Sequence, residues 1–66
     1  MRGLRQWISQ TVIVSTAGFD VRGKLSEVRG GCLVLKDAVA LQDGVNTPVD
    51  GLLVIPEVQV RYVQVP

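Results

Sequence analysis

Six carboxylates, seven cations, a single cysteine and no histidine are the groups among these 66 residues that could do chemistry. Without an imidazole, a serine, cysteine or lysine nucleophile needs another base, and no such residue here has an identifiable activating neighbour in sequence. The carboxylates Asp20, Glu27, Asp37, Asp43, Asp50 and Glu57 show no metal-loop spacing. Asp37 and Asp43, flanking the end of a strand, read as turn and capping residues. Cys32 follows two glycines and would be a reactive thiol if exposed. On a strand it reads instead as a small core residue, the usual place of a free cysteine. The residues therefore predict no enzyme, no metal and no cofactor.

The cations Arg22, Lys24, Arg29 and Arg61 are the remaining candidates. Arg22 and Lys24 share one face of a strand, while Arg29 falls at a turn. The net charge is only +1. Phosphate neutralisation supplies much of the affinity of nucleic-acid binders, so this balance argues against nonspecific binding by a single copy. The ordinary reading of such charges is a solvated exterior with a few ion pairs of small worth.

These residues are positioned by the stretch from Thr16 to Ala38, which reads as a long strand, a Gly-Gly turn and a second strand running back. Phe19, Val21 and Leu25 alternate with Asp20, Arg22, Lys24 and Ser26, the period of two expected of a half-buried strand. Gly23 falls on the apolar side, where a glycine marks a bend or a close backbone approach. A strand that bends midway can serve two sheets and close a small barrel. Gly30 and Gly31 supply positive φ for the tight turn.

Around this hairpin the other elements follow in order. Residues 3–10 place Leu4, Trp7 and Ile8 on one face of a short helix, predicted to lie across an open end of the barrel with Trp7 as a hydrophobic plug. Strands are predicted over residues 11–16, 19–29, 32–41, 51–55 and 58–65. Gln42-Asp43-Gly44 has turn chemistry, and Asn46 to Asp50 reads as a polar loop stiffened by Pro48. The run Leu52-Leu53-Val54-Ile55 suits a strand buried on both faces. Pro56 breaks it. The last strand has apolar residues on both faces, which marks an exposed edge that pairs with something. The whole, residues 1–66, is one domain: mostly β, a short helix followed by a five-stranded, strongly bent antiparallel barrel.

A chain this short hides only about 60% of the surface its unfolded form exposes. Its hydrophobic fraction is 47%, high for so small a body, which suggests cover from another subunit. The single cysteine excludes a disulfide framework and points to a reducing, cytoplasmic setting. No apolar run approaches the roughly 18 residues of a membrane span, and the N-terminal residues do not form a signal peptide. No separate recruitment segment is expected.

In order and spacing the chain resembles the Sm-like family, which includes the Sm, LSm and Hfq proteins. The resemblance rests on Val12-Ile13-Val14, Gly18, Gly23 with Leu25, Leu33-Val34-Leu35 before Asp37-Ala38, Gly51 to Ile55, and Val60, Tyr62 and Val63. It implies a homo-oligomeric ring of cyclic symmetry, with the last strand of one subunit pairing with the preceding strand of its neighbour. Leu53, Ile55, Val60, Tyr62 and Val63 are the implied subunit interface. It also implies single-stranded RNA as a partner, for which this sequence offers Lys24, Arg29, Gly30 and Gly31 as candidate contacts.

The departures from the family pattern lie in that RNA site. Members that bind uridine-rich RNA carry an Asp and an Asn in the turn after the long strand, with a stacking side chain nearby. Here Arg29 stands near the acidic position and Cys32 near the Asn position. Neither Cys32 nor the glycines can read a base edge as an amide does. The second motif usually ends Ile-Arg-Gly, whereas Ile55 is followed by Pro56 and Glu57. Two functional readings follow. One is an RNA-binding ring of altered specificity, in which repetition of Arg29 around the pore builds a basic annulus. The other is a ring that kept its assembly and lost the RNA site, serving other proteins. An SH3-like barrel acting as a monomeric partner-binding domain is a third.

Overall fold

The computed structural model describes residues 3–66 and shows a bent antiparallel sheet of six strands. They are β1 (Thr11–Thr16), β2 (Asp20–Arg29), β3 (Cys32–Gln42), β4 (Val45–Pro48), β5 (Leu52–Pro56) and β6 (Val60–Gln64). The sheet runs β4-β3-β2-β1-β6, and β5 pairs with β3 beyond β4. β3 is therefore the hub, bound along one side by β2 and along the other by β4 and then β5.

Turn chemistry fixes the hairpins. Gly30 and Gly31 have φ of 58° and 74° between the paired residues Arg29 and Cys32, and Asp43 and Gly44 have 52° and 76° between Gln42 and Val45. Positive φ at both central residues is what a two-residue hairpin needs to match strand twist. The β1–β2 turn is held by a side chain. Thr16 Oγ1 donates to the Phe19 carbonyl at 2.7 Å and accepts from the Phe19 N–H at 3.1 Å.

Two irregularities let the apolar pattern bend without leaving the core. The β2–β3 register shifts between Arg22 and Lys24, where Asp37 and Ala38 of β3 lie against Gly23 alone. Asp37, with φ of 53°, is the extra residue. It moves the inward positions of β3 from Leu33 and Leu35 to Ala38. A second shift at Ser26 moves those of β2 from Val21, Gly23 and Leu25 to Val28. Such bulges bend and twist a strand. The buried cluster they serve contains Val12, Val14, Val21, Leu25, Leu33, Leu35, Ala38 and Ile55.

Several expectations are corrected. The stretch read as a polar loop forms β4, exposed along its length, because the Asp43-Gly44 hairpin lays the returning chain directly on β3. The sheet has six strands rather than five. The expected helix over residues 3–10 is a single 3-10 turn, Leu4–Trp7. It is mounted on β2 by hydrogen bonds from Ser9 N–H to the Leu25 carbonyl and from Leu25 N–H to the Gln10 carbonyl, at 2.8 and 2.9 Å. Leu4 packs against the core, but Trp7 and Ile8 are exposed, so Trp7 is not a plug. Phe19 lies ahead of β2 and is exposed rather than sharing the inward row of Val21. Cys32 is half-buried and outside the core cluster. Residues 58 and 59, expected to begin the last strand, belong to a second 3-10 turn, Glu57–Gln59.

Candidate nucleic-acid interface and assembly edges

The β2–β3 turn and the β5–β6 connection, 25 residues apart in the chain at Gly31 and Pro56, form one end of the molecule. Cys32 pairs with Pro56, and the backbone N–H of Glu57 donates to the Gly31 carbonyl at 2.8 Å. The hub strand β3 causes this meeting, because β2 and β5 flank its first residues on opposite sides. The two segments, far apart in the chain, thus converge at one end of the sheet.

At this end Arg29, Gly30 and Gly31 are exposed. The Arg29 guanidinium lies 3.3 Å from Glu27 Oε1, an ion pair open to solvent. Pairs of this kind hold weakly and yield to a competing anion. The turn offers a guanidinium with its fork of donors, and it has no aromatic ring or side-chain amide with which to read a base. Among the described residues, no group of three or more His, Cys, Asp or Glu could hold a metal ion.

Lys24 is not brought to this site. It lies five residues earlier on β2, up to about 16 Å away by ordinary strand rise, with Thr11 and Lys36 as its cross-strand neighbours. The structure groups it with Lys36, which sequence spacing alone does not link to it.

Among the described residues, three strands are paired along one side only: β4 and β6, which end the sheet order, and β5, which follows β4 along β3. Of the five residues expected at a subunit interface, Ile55 is only 2% exposed and belongs to the core of its own chain. Its side chain therefore faces inward, and what it offers a neighbour is the backbone of β5. Leu53, Val60 and Val63 are half-buried against the same core, and Tyr62 is 52% exposed. The apolar side chains that β5 turns outward are Leu52 at 59% and Val54 at 55%. The run predicted to be buried on both faces is buried on one.

A shallow groove of about 520 Å³ separates the β1–β2 turn from the start of β6, lined by Thr16, Gly18, Phe19, Val58, Gln59 and Arg61. No helix among the described residues is long and apolar enough to cross a membrane.

A bent antiparallel sheet of six strands with its hub at β3 and a short 3-10 turn before β1 is the Sm fold. No protein-family model and no curated protein sequence matches the chain. Its structural neighbours are Sm and Sm-like proteins. A heptameric archaeal Sm protein is 25% identical over 96% of this chain and 94% of its own, with a TM-score of 0.85. The Pyrococcus abyssii Sm protein, solved in complex with a uridine heptamer, is 28% identical over the whole of both chains, with a TM-score of 0.84. A chain of the NatC complex bound to CoA has the same fold at 22% identity, over 100% of this chain and 87% of its own, with a TM-score of 0.84.

Proposed function

We propose that the chain assembles into a closed homo-oligomeric ring through β5 and β6, and that the ring binds single-stranded RNA at the end formed by Arg29, Gly30, Gly31 and the Pro56-Glu57 connection. The observation that carries the proposal is that β5 and β6 are each paired along one side only, with Leu52, Val54 and Tyr62 exposed on them. Two different edges on one subunit make a heterologous contact, which closes into a ring when its rotation closes. The archaeal neighbour at 25% identity is a heptamer, and the Pyrococcus abyssii protein holds a uridine heptamer.

Specificity differs from that of a base-reading site. The turn presents a guanidinium and backbone amides, so it recognises phosphate more than base. Oligouridine and oligoadenine are expected to bind within a few-fold of each other. Ring repetition multiplies Arg29 into an annulus, giving avidity to a weak single contact. The carboxylate of Glu27 beside Arg29 favours a second reading, a ring that serves as a protein-binding scaffold and ignores RNA.

Native mass spectrometry with and without oligouridine tests both parts. A closed oligomer that gains the mass of the RNA is expected. Arg29→Ala should keep the oligomer, weaken RNA binding and make its salt dependence shallower. A closed oligomer that gains no RNA selects the scaffold reading. A monomer at micromolar concentration overturns the ring.

A further inference from the structure

The cross-strand pairing on the outer face of β2 and β3 sets two like charges against each other. Lys24 and Lys36 are Cα partners, both exposed, in a region flanked by inward-facing Gly23, Leu25 and Leu35. Side chains of such partners leave the sheet about 5 Å apart at Cβ, and like charges there repel. Arg22, two residues along the same face of β2, is also exposed and lies just across the bulge. Three of the seven cations of a chain with net charge +1 are thus collected on one patch.

Among the described residues, the carboxylates that adjoin these cations in sequence are not paired with them. Asp37 adjoins Lys36 in sequence, and Asp20 lies two residues before Arg22, yet among the described residues neither forms an ion pair with these cations. Glu27 is engaged by Arg29. Thr11, the other cross-strand neighbour of Lys24, is exposed and adds a hydroxyl donor beside the lysines. Lysine ammonium groups with a neighbouring hydroxyl suit phosphate oxygens, which accept hydrogen bonds and carry one charge per nucleotide.

We infer that Arg22, Lys24 and Lys36 form a second binding site, on the outer face of the sheet and separate from the β2–β3 turn, for the phosphodiester backbone of a single-stranded RNA. The choice of RNA as the polyanion rests on the function proposed above; the site itself rests on the register. It recognises backbone charge, with no dependence on base identity. In a ring each subunit repeats it, so a strand long enough to leave the turn can continue along this face.

The test compares Lys24→Gln/Lys36→Gln, Lys36→Glu and Arg29→Ala as full-length proteins, with a fluorescein-labelled oligouridine titrated at several salt concentrations. The double variant should bind roughly tenfold more weakly, with a salt slope shallower by about 0.7 for each phosphate it no longer neutralises. Lys36→Glu places a carboxylate opposite Lys24, so its melting temperature should hold or rise while its RNA affinity falls. That combination excludes misfolding as the cause. Unchanged affinity and slope in the double variant, or undiminished binding by Lys36→Glu, overturns the site. Loss in the double variant with none in Arg29→Ala keeps the outer site and sinks the turn; the converse sinks the outer site and keeps the turn.

Discussion

A Cβ built on Gly23 would stand 3.2 Å from the Ala38 Cα and 3.3 Å from the Cβ atoms of Ala38 and Leu35. β2 approaches β3 closely at the bulge, and a side chain at this position would have to push Ala38 and Leu35 aside. Gly23→Val should therefore destabilise the fold by about 1–3 kcal/mol, the usual cost of overpacking a well-filled core. Urea unfolding monitored by circular dichroism would measure it. A variant as stable as the parent would mean that Ala38 and Leu35 give way without cost.

Thr16 is nearly buried, and its hydroxyl both donates to and accepts from the backbone of Phe19. Thr16→Val keeps the shape and removes both bonds, leaving the polar backbone groups of the turn less well satisfied. A loss of about 1–2 kcal/mol is expected, from typical hydrogen-bond contributions and the penalty for unmet partners. Thr16→Ser restores the hydroxyl and should recover most of the loss in the same unfolding experiment.

Val54 and Tyr62 lie on β5 and β6, the two strands proposed to pair between subunits, and Val45 is as apolar and exposed at the tip of the β3–β4 hairpin. A carboxylate on a margin that pairs with another subunit would be buried without a partner, whereas one at the hairpin tip stays in water. Val54→Asp and Tyr62→Asp should shift the oligomer toward monomer in sedimentation velocity, and Val45→Asp should not. Equal behaviour of all three variants would count against pairing through β5 and β6.

The parts of the fold legible in sequence were those governed by local rules. Alternation located β2, β-branched residues located β1, and the turn residues Gly30-Gly31 and Asp43-Gly44 bounded β3. β4 was illegible because Val45-Asn46-Thr47-Pro48 is exposed throughout and contributes no inward apolar row. The N-terminal segment has helical spacing at Leu4, Trp7 and Ile8, but only Leu4 finds core to cover, and the turn ends after Trp7. The site was legible as far as the Arg29-Gly30-Gly31 turn. Its meeting with Pro56-Glu57 and the opposition of Lys24 to Lys36 depend on register, and two bulges set that register in ways no single strand reveals.

The position of β6 has a consequence for how the chain holds together over time. Every other strand pairs with a near neighbour in sequence, while β6 crosses back from residue 60 to pair with β1, whose last residue is 16. Contacts that close so long a loop cost the most chain entropy, and a terminal strand held by one partner is where opening begins. A second chain bound to the free side of β6 would clamp it from both sides and suppress that opening. Folding of the subunit and growth of the ring would then be a single linked equilibrium, with a melting temperature that rises as the protein is concentrated.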